Sequence, residues 1–438
     1  MSETTEFIIP PSLGVHGDEG IAKDILSRIW GRRGVFTCTV ANTRTSTIPG
    51  VSEAGDTPEL TMFTPAADAE LLVNGKVTCI KGIPINPGGI PTPATLTKAA
   101  LELSGMPYYI VNGGCDVIPD VPYFYTGGEC GEKITSGSSV RNVEESYEKG
   151  YRLGEMLAKA YDFVVISESC AGGTTTALAV MLALGVIKEN LVSSSSPKNP
   201  KALKSKLVEE AFEAAGISIG SLADDPLKAI ECVGDPMQPA NVGILCGAAK
   251  SVPVIVGGGT QLSAVIACAL KLHPELAGNI IHGTTRWMMN DANSSLVKIM
   301  DGISDKVPIV YINVDYSGSP FEGLQAYEWG FIKEGVGCGG SSVAAVISSE
   351  GRITSADLQD KVHEIYRGIM GYERIDRCAQ GRMDLANASS PWVFTLTASS
   401  TESVSKRNSS RYLPSSVPVR FMMQTPESTQ FFPLCSLV

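Results

Sequence analysis

The sequence predicts an α/β protein with a parallel central sheet covered by helices on both faces, a Rossmann-like three-layer fold. A small helical subdomain built from the terminal regions completes this prediction. Two observations support it. Short β-rich runs alternate with longer helical runs, and glycines stand at the junctions between them. The clearest strands are also nearly continuous apolar runs, as is typical of strands that are buried on both faces.

The strands follow from these apolar runs. The strongest is FVVIS at 163–167, and VPVIV at 252–256 and PIVYINV at 308–314 are next. Weaker candidates lie at 34–40, 60–64 and 108–111. The first two strong strands each run into glycines and then into a helical pattern. In a parallel sheet such turns lie at the carboxyl ends of the strands, where ligands bind.

Helix boundaries are marked by capping residues. A helix is predicted at about 143–160, directly before the strongest strand. A second helix is predicted to begin with Asn199 as its N-cap and Pro200 at its first helical position. A late helix has the capping-box spacing of Thr354 and Asp357 and ends near Gly371.

The chain of 438 residues divides unevenly. Residues 1–387 are predicted to form one α/β domain, including the small subdomain from both terminal parts. Residues 388–438 are rich in Ser and Thr and lack sustained periodicity, so we expect this tail to be disordered.

Composition excludes several classes of function. The net charge of −11 argues against nucleic-acid binding, which needs a basic face. No apolar run reaches the length of a membrane span, and the N-terminal segment lacks a secretory signal pattern, so we expect a cytoplasmic protein. The 11 scattered cysteines form no CxxC pair, and there are only four histidines, which argues against a metal site or a disulfide framework.

The first candidate for chemistry is the turn after the strongest strand. It places Glu168 before Gly172 and Gly173, followed by the hydroxyls of Thr174 and Thr175. Glycines let the backbone approach an anion, and the N–H groups of the following helix then hold a phosphate. The alternative is a structural turn with a threonine cap. The segment is not a Walker A loop, because no GK[ST] follows.

Two further glycine-rich turns are candidates. Three consecutive glycines precede Thr260, and this costly run suggests that a ligand or another backbone approaches Gly258 and Gly259 closely. Glu334 begins a glycine- and serine-rich segment. A partly desolvated glutamate there would suit general-base catalysis, and the alternative is an ordinary surface glutamate before a helix.

Taken together, these segments resemble the nicotinate-nucleotide–dimethylbenzimidazole phosphoribosyltransferase family, and more closely its archaeal and cyanobacterial "related protein" branch. The likeness covers roughly residues 57–371, and the matching segments follow the family's order. They are PAADAELL at 65–72, SESCAGGTTTALAVMLALG at 167–185, NPKALKSKLVEEA at 199–211, VGDPMQP at 233–239, PVIVGGGTQLSAVIA at 253–267, HGTTRW at 282–287 and KEGVGCGGSSVAA at 333–345.

The resemblance implies transfer of a ribose phosphate from nicotinate mononucleotide to a benzimidazole-type base, giving α-ribazole phosphate for the lower ligand of cobalamin. Glu334 matches the carboxylate that takes the proton from the attacking base. Glu168 and the 172–175 turn match the second active-site glutamate and its phosphate loop, and Lys206 matches a lysine that binds the nucleotide phosphate. The resemblance also implies a homodimer, with small-molecule substrates, no cofactor and no metal.

The sequence is compatible with two alternatives. The segment from Glu168 to Gly173 is similar to the ESCTGG segment of nicotinamide-nucleotide amidases, and Ser169 would then be the nucleophile. A homologue that binds a nucleotide but has lost catalysis is the other alternative. Release of nicotinate that depends on an added base, release of ammonia from nicotinamide mononucleotide, or binding without turnover would separate the three.

Overall fold

The computed structural model describes residues 7–55, 57–80, 85–86, 89–371, 421–424 and 429–432. Residues 1–372 form one compact unit. Its strands are β1 (Leu13–His16), β2 (Gly34–Ala41), β3 (Ile85–Asn86), β4 (Ile90–Pro91), β5 (Tyr108–Gly114), β6 (Tyr123–Tyr125), β7 (Phe163–Ser169), β8 (Val254–Gly257), β9 (Ile280–Thr285) and β10 (Ile309–Ile312). Its α-helices are α1 (Glu19–Ile29), α2 (Thr64–Asn74), α3 (Ala94–Ser104), α4 (Val143–Ala160), α5 (Gly173–Ala183), α6 (Lys201–Ala215), α7 (Pro226–Val233), α8 (Met237–Ala249), α9 (Thr260–Leu272), α10 (Arg286–Met289), α11 (Leu296–Ile303), α12 (Glu322–Gln325), α13 (Cys338–Ser348) and α14 (Ser355–Met370).

The main sheet confirms the predicted fold class. Its strand order is β1-β10-β9-β8-β7-β2-β5-β6. Every neighbouring pair is parallel except β1 and β10, which are antiparallel. The connections run outward from the middle in both directions, so the strand order reverses between β7 and β2. Such a switch point opens a crevice at the carboxyl ends of the strands.

Both faces of the sheet are buried. On β7, Phe163 and Val165 point into one apolar cluster, whereas Val164 and Ile166 point into the other. Helices α4 to α9 and α11 cover one face, and α1, α2, α3, α13 and α14 cover the opposite face. The terminal regions of this unit therefore supply one helical layer. Full burial of each aliphatic side chain contributes about 1.5–3 kcal/mol.

Most of the predicted elements are confirmed. The predicted 143–160 helix coincides with α4. Helix α14 begins with Thr354 as N-cap in a capping box with Asp357, and Gly371 ends it in the left-handed conformation. The predicted strands at 34–40, 108–111, 163–167, 252–256 and 308–314 correspond to β2, β5, β7, β8 and β10.

Two local predictions are wrong. Residues 60–64 do not form a strand: Leu60–Met62 is a 3-10 turn, and α2 begins at Thr64. Proline in the first turn of α2 is compatible with this start, because that position needs no N–H donor. Asn199 does not cap α6, whose N-cap is Pro200. Its side-chain amide instead donates a 2.8 Å hydrogen bond to the carbonyl of Val192.

Residues 373–438 form a second unit. The structure describes the backbone of two antiparallel strands in it, β11 (Phe421–Gln424) and β12 (Thr429–Phe432). The predicted disorder of 388–438 otherwise concerns residues outside the described ranges and stays a prediction. Across the described ranges, no helix has both the length and the apolar character needed to cross a membrane.

Candidate active site

A cavity opens at the carboxyl ends of β7 and β8, beside the switch point of the sheet. The turns that follow these strands line it, together with the segments before α3, α6 and α13. Of the residues predicted from the sequence, Glu168, Gly172, Gly173, Thr174, Gly259, Thr260 and Glu334 line this cavity. Thr175, Gly258 and Lys206 do not line it.

Glu168 is the next-to-last residue of β7 and is almost fully buried. Its Oε2 atom accepts a 2.9 Å hydrogen bond from the side-chain amide of Gln261, in the first turn of α9. Burial, reinforced by the negative charge of Asp235, raises the pKa of Glu168 to about 8. At neutral pH this carboxyl group is therefore mainly protonated and can donate a hydrogen bond to a ligand.

Glu334 lies in a strained turn between α12 and α13. Two β-branched residues flank it in the left-handed region, Ile332 with φ 42° and Val336 with φ 53°. Such conformations cost free energy and persist only where surrounding contacts impose them. The N–H of Ile332 donates to the carbonyl of Ser195 at 2.9 Å, and the N–H of Val336 donates to the carbonyl of Glu168 at 3.0 Å. These two hydrogen bonds hold the strained turn in place and keep Glu334 against the cavity.

The Glu334 carboxylate has one engaged oxygen and one unengaged oxygen. Oε1 accepts hydrogen bonds from the N–H of Gly339 at 3.1 Å and from Sγ of Cys338 at 3.4 Å. Oε2 is shielded from solvent and makes no hydrogen bond of normal geometry among the described residues, although the nearby Thr284 hydroxyl contributes to lowering the pKa of this carboxyl. Burial raises the pKa of Glu334 to about 7, although the N–H of Gly339 partly opposes this shift. A carboxylate with such a pKa is suited to proton abstraction near neutral pH.

The glycine turn before α5 contributes backbone to the cavity. Gly172 is the N-cap of α5 with φ 80°, a conformation that favours glycine. A Cβ atom on Gly173 would lie 2.0 Å from Nε2 of Gln261, so only glycine leaves room for the Gln261–Glu168 hydrogen bond. Thr174 lines the cavity, whereas Thr175 is fully buried and does not line it.

In the second glycine turn, too, only some of the predicted residues line the cavity. Gly259 and Thr260 line the cavity. Gly258 instead faces the core, where its carbonyl lies 3.1 Å from Nε2 of His282. The Thr260 hydroxyl accepts a 2.9 Å hydrogen bond from the N–H of Ser193, so this turn is tied to the serine segment before α6.

Lys206 lies on the exposed face of α6, with 71% of its side chain accessible and its Nζ 3.7 Å from Glu210. Two other lysines are buried beside the cavity. Nζ of Lys204 donates a 2.5 Å hydrogen bond to the carbonyl of Ser193. Lys333 lines the cavity, and its Nζ lies 3.4 Å from Asp291.

This cluster of Lys204, Lys333 and Asp291 contains two basic side chains and one acidic side chain. Burial lowers the pKa of Lys204 to about 7, and the nearby Lys333 contributes to this shift. Burial also lowers the pKa of Lys333, against the opposing effect of Asp291. Lys333 is paired with Asp291, whereas Lys204 is bonded to a carbonyl and has a carboxylate only at longer range, so an anion at this end of the cavity would favour the charged form of Lys204.

The structure adds residues that the sequence did not single out. Asp68 of α2 is buried and lines the cavity, as do Ser193, Ser194 and Ser195. Asp68 lies within the PAADAELL segment, where a carboxylate among small apolar residues on a buried helix was a usable signal. The serine segment carries no comparable signal, because phosphate loops are expected to be glycine-rich.

Ser169 is the candidate nucleophile of the amidase alternative. Its hydroxyl donates a 2.7 Å hydrogen bond to Oδ2 of Asp68. No histidine or lysine in the described part of the chain is hydrogen-bonded to this hydroxyl. The acceptor of this hydroxyl is a carboxylate that Thr92 also holds, and a serine without a histidine or lysine to activate it is a weak nucleophile, so this geometry gives the amidase little support.

Curated relatives match most of this chain. A UPF0284 protein of Sulfolobus acidocaldarius is 43% identical over 332 residues, which cover 76% of this chain and 94% of the relative. A UPF0284 protein of Methanothermobacter thermautotrophicus is 40% identical over 349 residues, which cover 79% and 96%. A family model described as "Phosphoribosyltransferase" matches residues 137–288.

Solved structures show the same fold. The nicotinate-nucleotide-dimethylbenzimidazole phosphoribosyltransferase of Thermus thermophilus superimposes with a TM-score of 0.52 at 15% identity, covering 79% of this chain and 88% of that one. A structure described as CobT from the same organism has a TM-score of 0.52 at 16% identity, covering 79% and 89%. At these identities the likeness establishes the α/β fold.

Proposed function

This chain belongs to the UPF0284 family, and we propose that it is a phosphoribosyltransferase that transfers phosphoribose from nicotinate mononucleotide to a benzimidazole-type base. The products are an α-ribazole phosphate and nicotinate, as used for the lower ligand of cobalamin. We also propose, from the family resemblance, that it acts in the cytoplasm as a homodimer. Sedimentation of the purified protein would test the dimer.

One observation carries the proposal. Glu334 has a raised pKa and one carboxylate oxygen that is not engaged. It lines the same cavity as Glu168 and the serine segment 193–195, beside which the two lysines lie. A phosphoribosyl transfer needs these three parts: an anion site for the donor phosphate, groups that orient the ribose, and a base for one proton.

The donor phosphate is assigned to the end of the cavity that Ser193–Ser195 and Lys333 line, with Lys204 behind it. This placement replaces Lys206, whose ammonium group is exposed and paired with Glu210. The N-terminus of α9 at Thr260 adds a favourable partial positive charge. The phosphate then serves as a handle that aligns the reacting carbon with Glu334.

The chemical step requires the removal of one proton. A ring nitrogen of the acceptor attacks C1′ of the ribose from the face opposite the pyridinium. The C1′–N bond of the nucleotide breaks, and its electron pair returns to the pyridine nitrogen, which leaves uncharged. The azole N–H loses its proton to Glu334, and inversion at C1′ changes the β configuration to α. The protonated Glu168 donates a hydrogen bond that holds the ribose.

The proposal is tested by incubating the purified full-length chain with nicotinate mononucleotide and a panel of aromatic bases. Expected is nicotinate release that depends on the base, with an α-ribotide identified by NMR of its anomeric proton. Release of ammonia from nicotinamide mononucleotide would support the amidase instead. Nucleotide binding without turnover on any base would mean that this homologue keeps the fold without the chemistry.

A further inference from the structure

The two ends of the cavity carry opposite charge. The turn from Ile332 to Val336 crosses between them: its first residue is bonded to the serine segment, and its last accepts a 2.9 Å hydrogen bond from Thr97 of α3. The serine end holds Lys333 with Lys204 behind it. The α3 end holds Asp68, Thr92 and Ser169.

Asp68 is a buried carboxylate without a cation. It is 3% exposed, and it accepts 2.7 Å hydrogen bonds from the Thr92 hydroxyl on Oδ1 and from the Ser169 hydroxyl on Oδ2. In the part of the chain that the structure describes, no basic side chain pairs with it. Burial raises the pKa of Asp68 to about 6, so this group is mostly ionised at neutral pH.

A carboxylate in this setting still has acceptor capacity. Each oxygen has two lone pairs, and each accepts one hydrogen bond from a hydroxyl. A buried charge that is only partly solvated is unfavourable, and an N–H donor supplied by a ligand would reduce that penalty. A methyl group in the same place would leave the carboxylate unsatisfied and would add to its desolvation.

The charge pattern also decides which substrate meets Asp68. The phosphate of the donor nucleotide fits the serine end, where the lysines lie. The carboxylate of its nicotinate ring would be repelled by Asp68. The α3 end, which lies on the other side of Glu334, is therefore available to the acceptor base.

We propose that Asp68 selects an acceptor base that carries an amino group or another N–H donor on its ring edge, in preference to a base with methyl groups there. This inference rests on the proposed phosphoribosyl transfer. It makes Asp68, held in place by Thr92 and Ser169, the specificity-determining residue for the acceptor.

Isosteric pairs of acceptors test the proposal. 5-Aminobenzimidazole is compared with 5-methylbenzimidazole, and adenine with 6-methylpurine, because amino and methyl groups are similar in size. The wild-type chain should use the amino member with a kcat/KM at least about tenfold higher, the usual value of a hydrogen bond to a charged group. Asp68→Leu should bring the ratio to about one or invert it. Asp68→Asn keeps the shape and should reduce the ratio.

Calorimetric titration of the same bases into the full-length chain, with nicotinate mononucleotide present, reads the preference without turnover. Absence of turnover with retained amino preference would defeat the proposed reaction and leave the role of Asp68 intact. Equal binding of both members, binding of neither, or an amino preference that persists in both variants would overturn the role of Asp68. Asp224→Asn, a change at an exposed residue outside the cavity, is the matched control and should leave the ratio unchanged.

Discussion

The peptide N–H of Val336 donates a 3.0 Å hydrogen bond to the carbonyl oxygen of Glu168. This bond joins the turn that carries Glu334 to the end of β7. The two acidic residues of the candidate site, which are distant in sequence, are thereby held on one wall of the cavity. Their environments differ, since Glu168 is bonded to a side-chain amide and Glu334 to a helix N-terminus. In the proposed reaction Glu168 stays protonated and donates a hydrogen bond, whereas Glu334 accepts the proton of the attacking base.

Glu334→Gln should lower kcat by about a hundredfold or more, while the KM for nicotinate mononucleotide changes little. Glutamine preserves the acceptor for the N–H of Gly339, so the turn should keep its form, but it cannot take a proton. Initial rates of nicotinate release measure this effect. Exposed Glu209→Gln is the matched control and should behave as wild type. A kcat within about threefold of wild type would remove Glu334 from the role of base.

Lys204→Met should raise the KM for nicotinate mononucleotide at least about tenfold, because the buried ammonium group behind Ser193 compensates the phosphate charge. Utilisation of the corresponding nucleoside, which has no phosphate, should fall much less. Lys206→Met makes the same change on the exposed face of the same helix and should alter neither value. If Lys206→Met raised the KM and Lys204→Met did not, Lys206 would be the lysine that binds the phosphate, as the family resemblance implies.

The fold was predictable because its signals are local. Apolar runs identified β7 and β8, and the Thr354–Asp357 pair identified the start of α14. The strand predicted at 60–64 failed because its few apolar residues do not reveal that a helix begins at Thr64.

The site was predictable only in part. Glycine-rich turns and an isolated glutamate identified the strand ends and Glu334. The sequence does not show which of two lysines two positions apart on a helix faces the site. In the structure Lys204 is buried and Lys206 is exposed. Asp68 reaches the cavity from a helix distant in sequence from β7, so its partnership with Ser169 depends on tertiary packing.

The dependence of kcat/KM on pH should be bell-shaped, with its maximum near pH 7. Glu334 acts ionised, so activity should rise as the pH passes through its pKa of about 7. Lys204 acts protonated, and its pKa is lowered to about 7, so activity should fall as the pH rises further. In Lys204→Met the acid limb should stay, while the alkaline limb should move from about pH 7 towards the pKa of about 8 of Glu168, whose protonated form holds the ribose in the proposed reaction. An alkaline limb unchanged in the variant would assign it to another group.

Glu168→Gln should stabilise the fold, and the gain should grow with pH. In the unfolded chain this glutamate ionises near 4.5, whereas in the folded chain burial raises its pKa to about 8. Between these values the folded state keeps a proton that the unfolded state has lost, so wild-type stability falls by about 1.4 kcal/mol per pH unit from this group. Above pH 8 the penalty is constant.

Glutamine removes that penalty, because it is neutral in both states and can still accept the hydrogen bond from Gln261. Denaturant unfolding should show variant and wild type nearly equal at about pH 5 and increasingly different up to about pH 8, with a plateau beyond it. Glu209→Gln, at an exposed position, should show no such trend. A pH-independent difference for Glu168→Gln would mean that this carboxyl is not protonated in the folded protein and cannot be the donor to the ribose.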